Sequence, residues 1–252
     1  MPAWNKQGQS VDHPEPWGRN GSFSTLRVFP GPLLPFRRDY LERLLESAKI
    51  LGLRWIPPMS LLEELLADFL PSLPSRFEGL LRICLFEDCL GFSHRASPPS
   101  SEPVKGRLLV HRRPEPRAKS TLDKDLYARL SELDRVNEDW IIIDPEVRDL
   151  RESATCNLVF AKGETLTIPE SGVLRGIVLN QLLPRLEEHF SIIRSRPAEQ
   201  EVTDYEEILL CGTGRGVSPL RSIPELGWKS TSCSTFQLIR SIYEDLITAE
   251  NA

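Results

Sequence analysis

Histidine is scarce in this chain, and what there is lies scattered: His13, His94, His111 and His189 are spread over 252 residues. A histidine-centred catalytic or metal constellation has no local basis in that spacing, and no metal site is expected. Cysteine is almost as thin. Cys84, Cys89, Cys156, Cys211 and Cys233 are odd in number and form no C-x-x-C pair, which argues against a zinc site. They read as reduced, mostly buried thiols of a cytoplasmic protein. Long apolar runs are missing too, and the opening Met1-Pro-Ala-Trp-Asn-Lys has no signal-peptide pattern, so no membrane association is expected. Nor is there a field of one sign. The net charge is -5 with both signs interspersed, which offers nothing to nucleic acid or anionic lipid. Repeats and low-complexity tracts are absent. What remains is a chain long enough for a full core, as one large domain or two smaller ones.

Residues 1–20 are polar and rich in Pro and Gly, and read as a loose arm. Gly21 to Phe29 alternates at period two, with Phe23, Thr25, Arg27 and Phe29 on one face. After a Gly31-Pro32 turn, Asp39 to Leu53 has helical periodicity and ends at a glycine. A second helix is expected from Leu61 to Leu70, stopped by Pro71. Gly79 to Leu90 reads as one strand with a polar tail. Residues 94–105 are loop or linker, Leu108 to Val110 a short strand, and Leu122 to Leu133 an amphipathic helix. Trp140 to Asp144 is a continuous apolar strand of a buried sheet. Further on come a helix from about Leu174 to His189, a strand from Glu206 to Cys211, and a final helix from Phe236 to Leu246. The class is α+β, with two lobes.

The most informative stretch runs from Glu152 to Gly176. An acid stands five positions before Asn157, which opens the apolar run Leu158-Val159-Phe160; a Lys-Gly turn, an alternating strand and a Ser-Gly loop then lead through Gly176-Ile177 into a helix. Upstream, Gly21-Ser-Phe-Ser-Thr-Leu-Arg-Val28 and the helix around Arg43 precede it, and Lys119 opens Lys-Ser-Thr-Leu, 33 positions before Glu152. Downstream lies Gly212-Thr213-Gly214. In order and spacing this resembles the class IV aminotransferases, the fold-type-IV pyridoxal-phosphate enzymes, over most of the chain from Gly21 to about Leu226.

The resemblance implies a shortened, two-lobed D-amino-acid-aminotransferase-like fold binding pyridoxal 5'-phosphate: a small lobe over 1–93, a linker with a short strand over 94–118, and a large cofactor-binding lobe over 119–252. It assigns Lys119 as the lysine that carries the cofactor, with Lys124 as the fallback. Glu152 is the acid at the pyridine nitrogen. The phosphate falls to Ile177 and Val178 at a helix N-terminus, where amides and dipole favour an anion, to Gly212, Thr213 and Gly214, and to the fork of Arg43. Thr25 would supply a hydroxyl on the substrate side. A dinucleotide loop is the rival reading of Gly212-Thr-Gly-Arg-Gly216, but Ser218-Pro219 stands where its helix should continue.

The resemblance also implies a homodimer. Two activities fit it: amino transfer from an amino acid to a 2-oxo acid, and cleavage of 4-amino-4-deoxychorismate in folate biosynthesis. The second is favoured by short length and by Phe23-Ser-Thr-Leu-Arg27. A degenerate cofactor-binding protein is the third reading. It is motivated by Val178 where the family has Thr, by Ser24 for Glu, Tyr40 for His and Gly216 for Glu, and by the shortened stretch between Arg82 and Lys119. The family's N-terminal strand is expected to be absent or degenerate.

Overall fold

The computed structural model describes residues 2–12 and 19–250. The loose arm expected over 1–20 is corrected where it is described; Met1 and 13–18, His13 among them, lie outside the described residues. Ala3–Asn5 (β1) and Ser10–Val11 (β2) pair antiparallel. They hold because Ala3 is fully buried, Trp4 meets Phe92 edge-on at 5.1 Å, and Gly8 takes the turn at φ 75. An N-terminal strand is therefore present.

By contact the chain divides into two units. The first runs to Pro98 and takes back Arg117–Lys124; the second comprises Pro99–Pro116 and Asp125–Glu250.

The first unit centres on Gly21–Val28 (β3), whose alternating pattern forms the expected strand. Arg37–Ile50 (α1) lies against it, burying Tyr40, Leu41, Leu44 and Ala48. It stops where Gly52 takes φ 69, with Gly52 N–H on the Lys49 carbonyl and Leu53 N–H on that of Ala48. Met59–Phe69 (α2) follows, and Pro71 falls inside a short 3-10 turn over Leu70–Ser72. The strand expected over Gly79 to Leu90 is instead a hairpin: Gly79–Phe86 (β4) and Cys89–Ala96 (β5) flank the two-residue turn Glu87-Asp88. The sheet order is β2-β1-β5-β4-β3. The first residues expected as a linker, His94 to Ala96, are strand.

In the second unit Val104–Val110 (β6) is longer than the expected three residues and lies between two other strands. The helix expected from Leu122 shrinks to Lys124–Ala128 (α3) and a 3-10 turn over Arg129–Glu132. There Trp140 Nε1 donates to the Arg129 carbonyl at 2.9 Å, and Leu126, Leu130 and Leu133 pack with Trp140 and Ile142. Glu138–Ile143 (β7), Leu150–Ser153 (β8), Asn157–Lys162 (β9) and Thr165–Thr167 (β10) precede Ile177–Leu186 (α4) and Ser191–Ile193 (β11). Glu207–Gly212 (β12), Gly216–Ile223 (β13), Trp228–Lys229 (β14) and Ser234–Ala249 (α5) complete it.

The strand order is β11-β10-β9-β12-β13-β6-β7-β8, and Glu152 pairing with Asn157 brings β8 back to β9. That pairing closes a barrel-like ring. Period two splits each strand between two cores: Leu158, Phe160, Ile208 and Leu210 belong to one, Val159, Ala161, Leu209 and Cys211 to the other, beneath α4 and α5. Among the described residues no helix is long and apolar enough to cross a membrane, and no group of His, Cys, Asp and Glu could hold a metal ion.

Candidate active site

Lys119, Thr25 and Arg43 belong to the first unit. The stretch Lys119 to Thr121 lies along β3: Phe23 N–H donates to the Lys119 carbonyl at 3.0 Å and Thr121 N–H to that of Gly21 at 2.9 Å. Ser120 bridges Ser22, so Lys119 stands opposite Phe23. Its Nζ lies 5.1 Å from the centre of the Phe23 ring, and the Arg82 guanidinium lies 5.0 Å from the same ring. Arg82 pairs directly across from Thr25. Two cations thus gather around one buried aromatic, with Thr25 two residues along the same strand, an arrangement that suits an anionic substrate. The fallback Lys124 opens α3 instead.

Arg43 reaches β3 from the other side. Its Nη2 donates to Ser24 Oγ at 3.1 Å and its guanidinium lies 5.3 Å from the Tyr40 ring. Ser22 Oγ donates to the Leu44 carbonyl, so the Ser22–Ser24 face is the one turned to α1, and Phe23 and Thr25 face the opposite way. Lys119 and Thr25 share one face of β3; Arg43 is on the helix side.

In the second unit everything turns on the tight stretch between Glu152 and Asn157. Glu152 is 6% exposed; its Oε1 accepts from Arg113 Nη1 at 3.1 Å and its Oε2 from Leu174 N–H at 3.4 Å. Asn157 Nδ2 donates to the carbonyl of the same Leu174 at 2.8 Å. Gripped at both ends of one residue, the Ser-Gly loop cannot continue as helix. The helix expected from Leu174 therefore begins at Ile177, with Gly176 extended as its cap. A side chain at Gly176 is impossible as packed, since its Cβ would fall 1.7 Å from Asn157 Oδ1. The first bond of the ladder runs from Asn180 N–H to the Gly176 carbonyl, which leaves the amides of Ile177, Val178 and Leu179 outside it.

Gly212 backs onto the same stretch. Its Cβ would meet Cys156 Sγ at 2.6 Å and the Thr155 carbonyl at 3.0 Å. The chain then turns through Thr213, Gly214 and Arg215, and re-enters the sheet at Gly216, which takes φ 68 beneath the Tyr243 ring. A strand follows the glycines, as the Ser-Pro pair required, so the dinucleotide reading is gone. Arg215 fixes the turn from outside by donating to the carbonyls of Val136 and Arg135 at 3.0 and 2.8 Å. Glu152, the start of α4 and the Gly212–Gly214 turn are thus held by one short piece of backbone.

Two residues of this arrangement carry no signal in the sequence pattern. Arg113 lies in a Pro-punctuated stretch without periodicity, yet its side chain is 6% exposed and ion-paired with Glu152. Asp139 ends the polar approach to an apolar strand and is buried.

A buried, ion-paired acid lies beside a helix N-terminus and a glycine turn, groups that suit a basic ring nitrogen and an anionic tail. The model of the amino-transferase class IV family matches residues 21–223. That span takes in every candidate from Thr25 to Gly214, and the chain belongs to the class IV aminotransferases. It is accordingly a pyridoxal 5'-phosphate-dependent enzyme, an aminotransferase or a lyase. Solved structures share its fold at low identity. A branched-chain aminotransferase from Thermoproteus uzoniensis, with norvaline, is 18% identical with a TM-score of 0.83, covering 99% of this chain and 95% of that one. An aminotransferase from Brucella abortus bound to PLP is 17% identical, TM-score 0.79, covering 98% and 100%. A protein assigned as a 4-amino-4-deoxychorismate lyase from Legionella pneumophila is 17% identical, TM-score 0.77, covering 90% and 91%. No curated protein matches the chain by sequence.

Proposed function

We propose that this chain transfers an amino group from an amino acid to a 2-oxo acid, with Lys119 carrying the cofactor. The observation that supports this most is the double hold of Glu152 and Asn157 on Leu174, which sets an acid and a helix N-terminus side by side. The donor set fits pyridoxal phosphate in kind. A carboxylate suits the ring nitrogen, and the amides of Ile177 and Val178, with Gly212, Thr213 and Gly214, suit the phosphate. Val178 brings only its amide. Arg43 is the further phosphate residue by assignment, offered from α1.

When bound, pyridoxal phosphate supplies an electron sink for the pair left at the substrate Cα. Glu152, kept charge-paired by Arg113, holds the proton at the ring nitrogen. Lys119 Nζ would take the proton from the substrate Cα and return it two atoms along, across the amino nitrogen. Phe23 forms an apolar floor under that amine, and Arg82 attracts a substrate carboxylate to it.

The second reading is the 4-amino-4-deoxychorismate lyase. Thr25 favours it, since its hydroxyl shares the Lys119 face and could move a proton on the substrate side. We also infer a cytoplasmic homodimer, in which a partner copy helps keep water from the reacting centre. Light scattering tests this, and a mass of one chain with full activity rules it out. For the function, borohydride should fix the cofactor to the peptide holding Lys119. Recovery on Lys124, or a protein that stays colourless after loading, refutes the assignment. Turnover of L- or D-amino acids with a 2-oxo acid supports the transaminase; pyruvate release from aminodeoxychorismate alone replaces it with the lyase.

A further inference from the structure

Asp139 is 2% exposed on β7, and both hydrogen bonds to its Oδ2 come from the stretch that bears the cofactor acid: Ser153 Oγ donates at 3.0 Å and Thr155 Oγ1 at 2.7 Å. A hydroxyl has one proton. Because Ser153 gives its proton to Asp139, its lone pairs face the turn, and it accepts from the amides of Thr155 at 3.2 Å and Cys156 at 2.8 Å. Thr155 has likewise committed its proton. At the 3.4 Å contact with Cys156 the thiol must therefore be the donor. The order Cys156 to Thr155 to Asp139 is fixed by one acceptor.

Everything that this turn supports belongs to the site. Glu152 precedes it, Cys156 and the Thr155 carbonyl fill the space beside Gly212, and Asn157 fills the space beside Gly176. Arg215, from the turn after Gly212, is the charged group that acts on Asp139 across this cluster. Stability alone is a poor reason for such a residue. The strand continues as Trp140-Ile-Ile-Ile143, burial pushes the Asp139 carboxyl up, and its Oδ1 makes no hydrogen bond among the described residues. An orphaned buried oxygen is costly, and an apolar side chain there would avoid it.

We propose that Asp139 is a positioning residue for the cofactor acid: by taking the hydroxyl protons of Ser153 and Thr155 it sets the turn that aims Glu152 and backs Gly176 and Gly212. This rests on the reading of Glu152 as the acid at the ring nitrogen. The role needs an acceptor and not a charge, since an Asn side chain can place its oxygen where Oδ2 stands. Hence Asp139→Asn should behave as wild type, Asp139→Ala should fail, and Thr155→Val, which removes one donor without changing shape, should fall between.

The test uses the full chain with and without pyridoxal phosphate. Without cofactor, hydrogen exchange at the Thr155 and Cys156 amides should speed up in Asp139→Ala and stay slow in Asp139→Asn. With cofactor, Asp139→Ala should bind about 10- to 100-fold more weakly and shift the pH midpoint of the bound chromophore. Asp139→Asn should restore both. Should Asp139→Ala not fold, Thr155→Val carries the same comparison. A fall in melting temperature with unchanged cofactor affinity and unchanged midpoint marks a merely structural residue and overturns the proposal. A wild-type chain that takes up no cofactor overturns the functional reading instead, and the aim of Glu152 with it. Exchange at the two amides still decides separately whether Asp139 holds the turn.

Discussion

Replacing Arg113 by Leu isolates the most consequential contact of the site. The side chains of Arg113 and Glu152 are 6% and 7% exposed, with Nη1 and Oε1 3.1 Å apart. At an effective dielectric near 20, a pair at this separation attracts by about 5 kcal/mol. Much of that is offset by desolvation when both charges are present, which is why intact buried pairs add little. Taking away one partner is different, because the desolvation of the other remains. The Leu174 amide at 3.4 Å is too long to replace the guanidinium. We expect Arg113→Leu to lose about 3–5 kcal/mol, which for a chain of this size is a fall of roughly 6–20 °C. Urea unfolding of the cofactor-free protein measures it.

The double variant Arg113→Leu with Glu152→Gln decides the cause. A neutral amide needs no counter-charge, so the pair of changes should cost about 2 kcal/mol less than Arg113→Leu alone. If Arg113→Leu costs under about 1 kcal/mol, or the two changes simply add, then Arg113 does not charge-balance the acid and the reasoning fails.

Three further outcomes follow from the same contacts. Glu152→Gln should still bind cofactor but lose most exchange of the substrate Cα proton, since an amide cannot hold a proton on the ring nitrogen; near-normal exchange into deuterated water counts against it. Gly176→Ala must push Asn157 from the Leu174 carbonyl, at a cost of about 2–4 kcal/mol, and should weaken phosphate-bearing ligands more than phosphate-free ones. The grip of Arg112 holds the Asp144 carboxyl well below the usual carboxylate range. A carboxyl with a lowered folded value adds stability that is present above its unfolded value and disappears as pH falls through the folded one. Asp144→Asn should therefore lose about 1–3 kcal/mol at neutral pH, with the gap closing under acid; a gap that stays constant from neutral pH into strong acid denies the assignment.

Much of the fold could be read from periodicity because its elements are local. β3, α1 and α5 repeat at two or at about three and a half residues, β7 and β9 are continuous apolar runs, Gly52 takes a positive φ at a helix end, and Gly176 and Gly216 stand where close approach leaves no room for a side chain. The hairpin of β4 and β5 was hidden by its own turn: Glu87-Asp88 read as a polar tail, although Leu90 and Phe92 beyond it are fully buried. β1 and β2 are too short for any period, and they exist through Trp4 against Phe92, a contact that the pattern cannot contain. Helix α4 was drawn too long for a similar reason, since the grip on Leu174 comes from 17 and 22 residues upstream.

The candidate site divides along the same line. Lys119, Glu152, Gly176 and Gly212 were visible because a motif states them one after another. The groups that hold them were not: Arg113 reaches Glu152 across 39 residues, and Asp139 reaches Ser153 and Thr155 across 14 and 16. Such partners leave no period, because nothing in the intervening chain has to repeat for them to meet. Their common feature is energetic. Each is an ionisable group buried where an apolar residue would be cheaper, which points to something else that depends on its hydrogen bonds. In this chain that dependent element is the six residues from Glu152 to Asn157. Changes at Arg113 and at Asp139 act on this one element, so their effects on cofactor affinity should not add. Independent losses in Arg113→Leu with Asp139→Ala would mean that the acid and its turn are held separately.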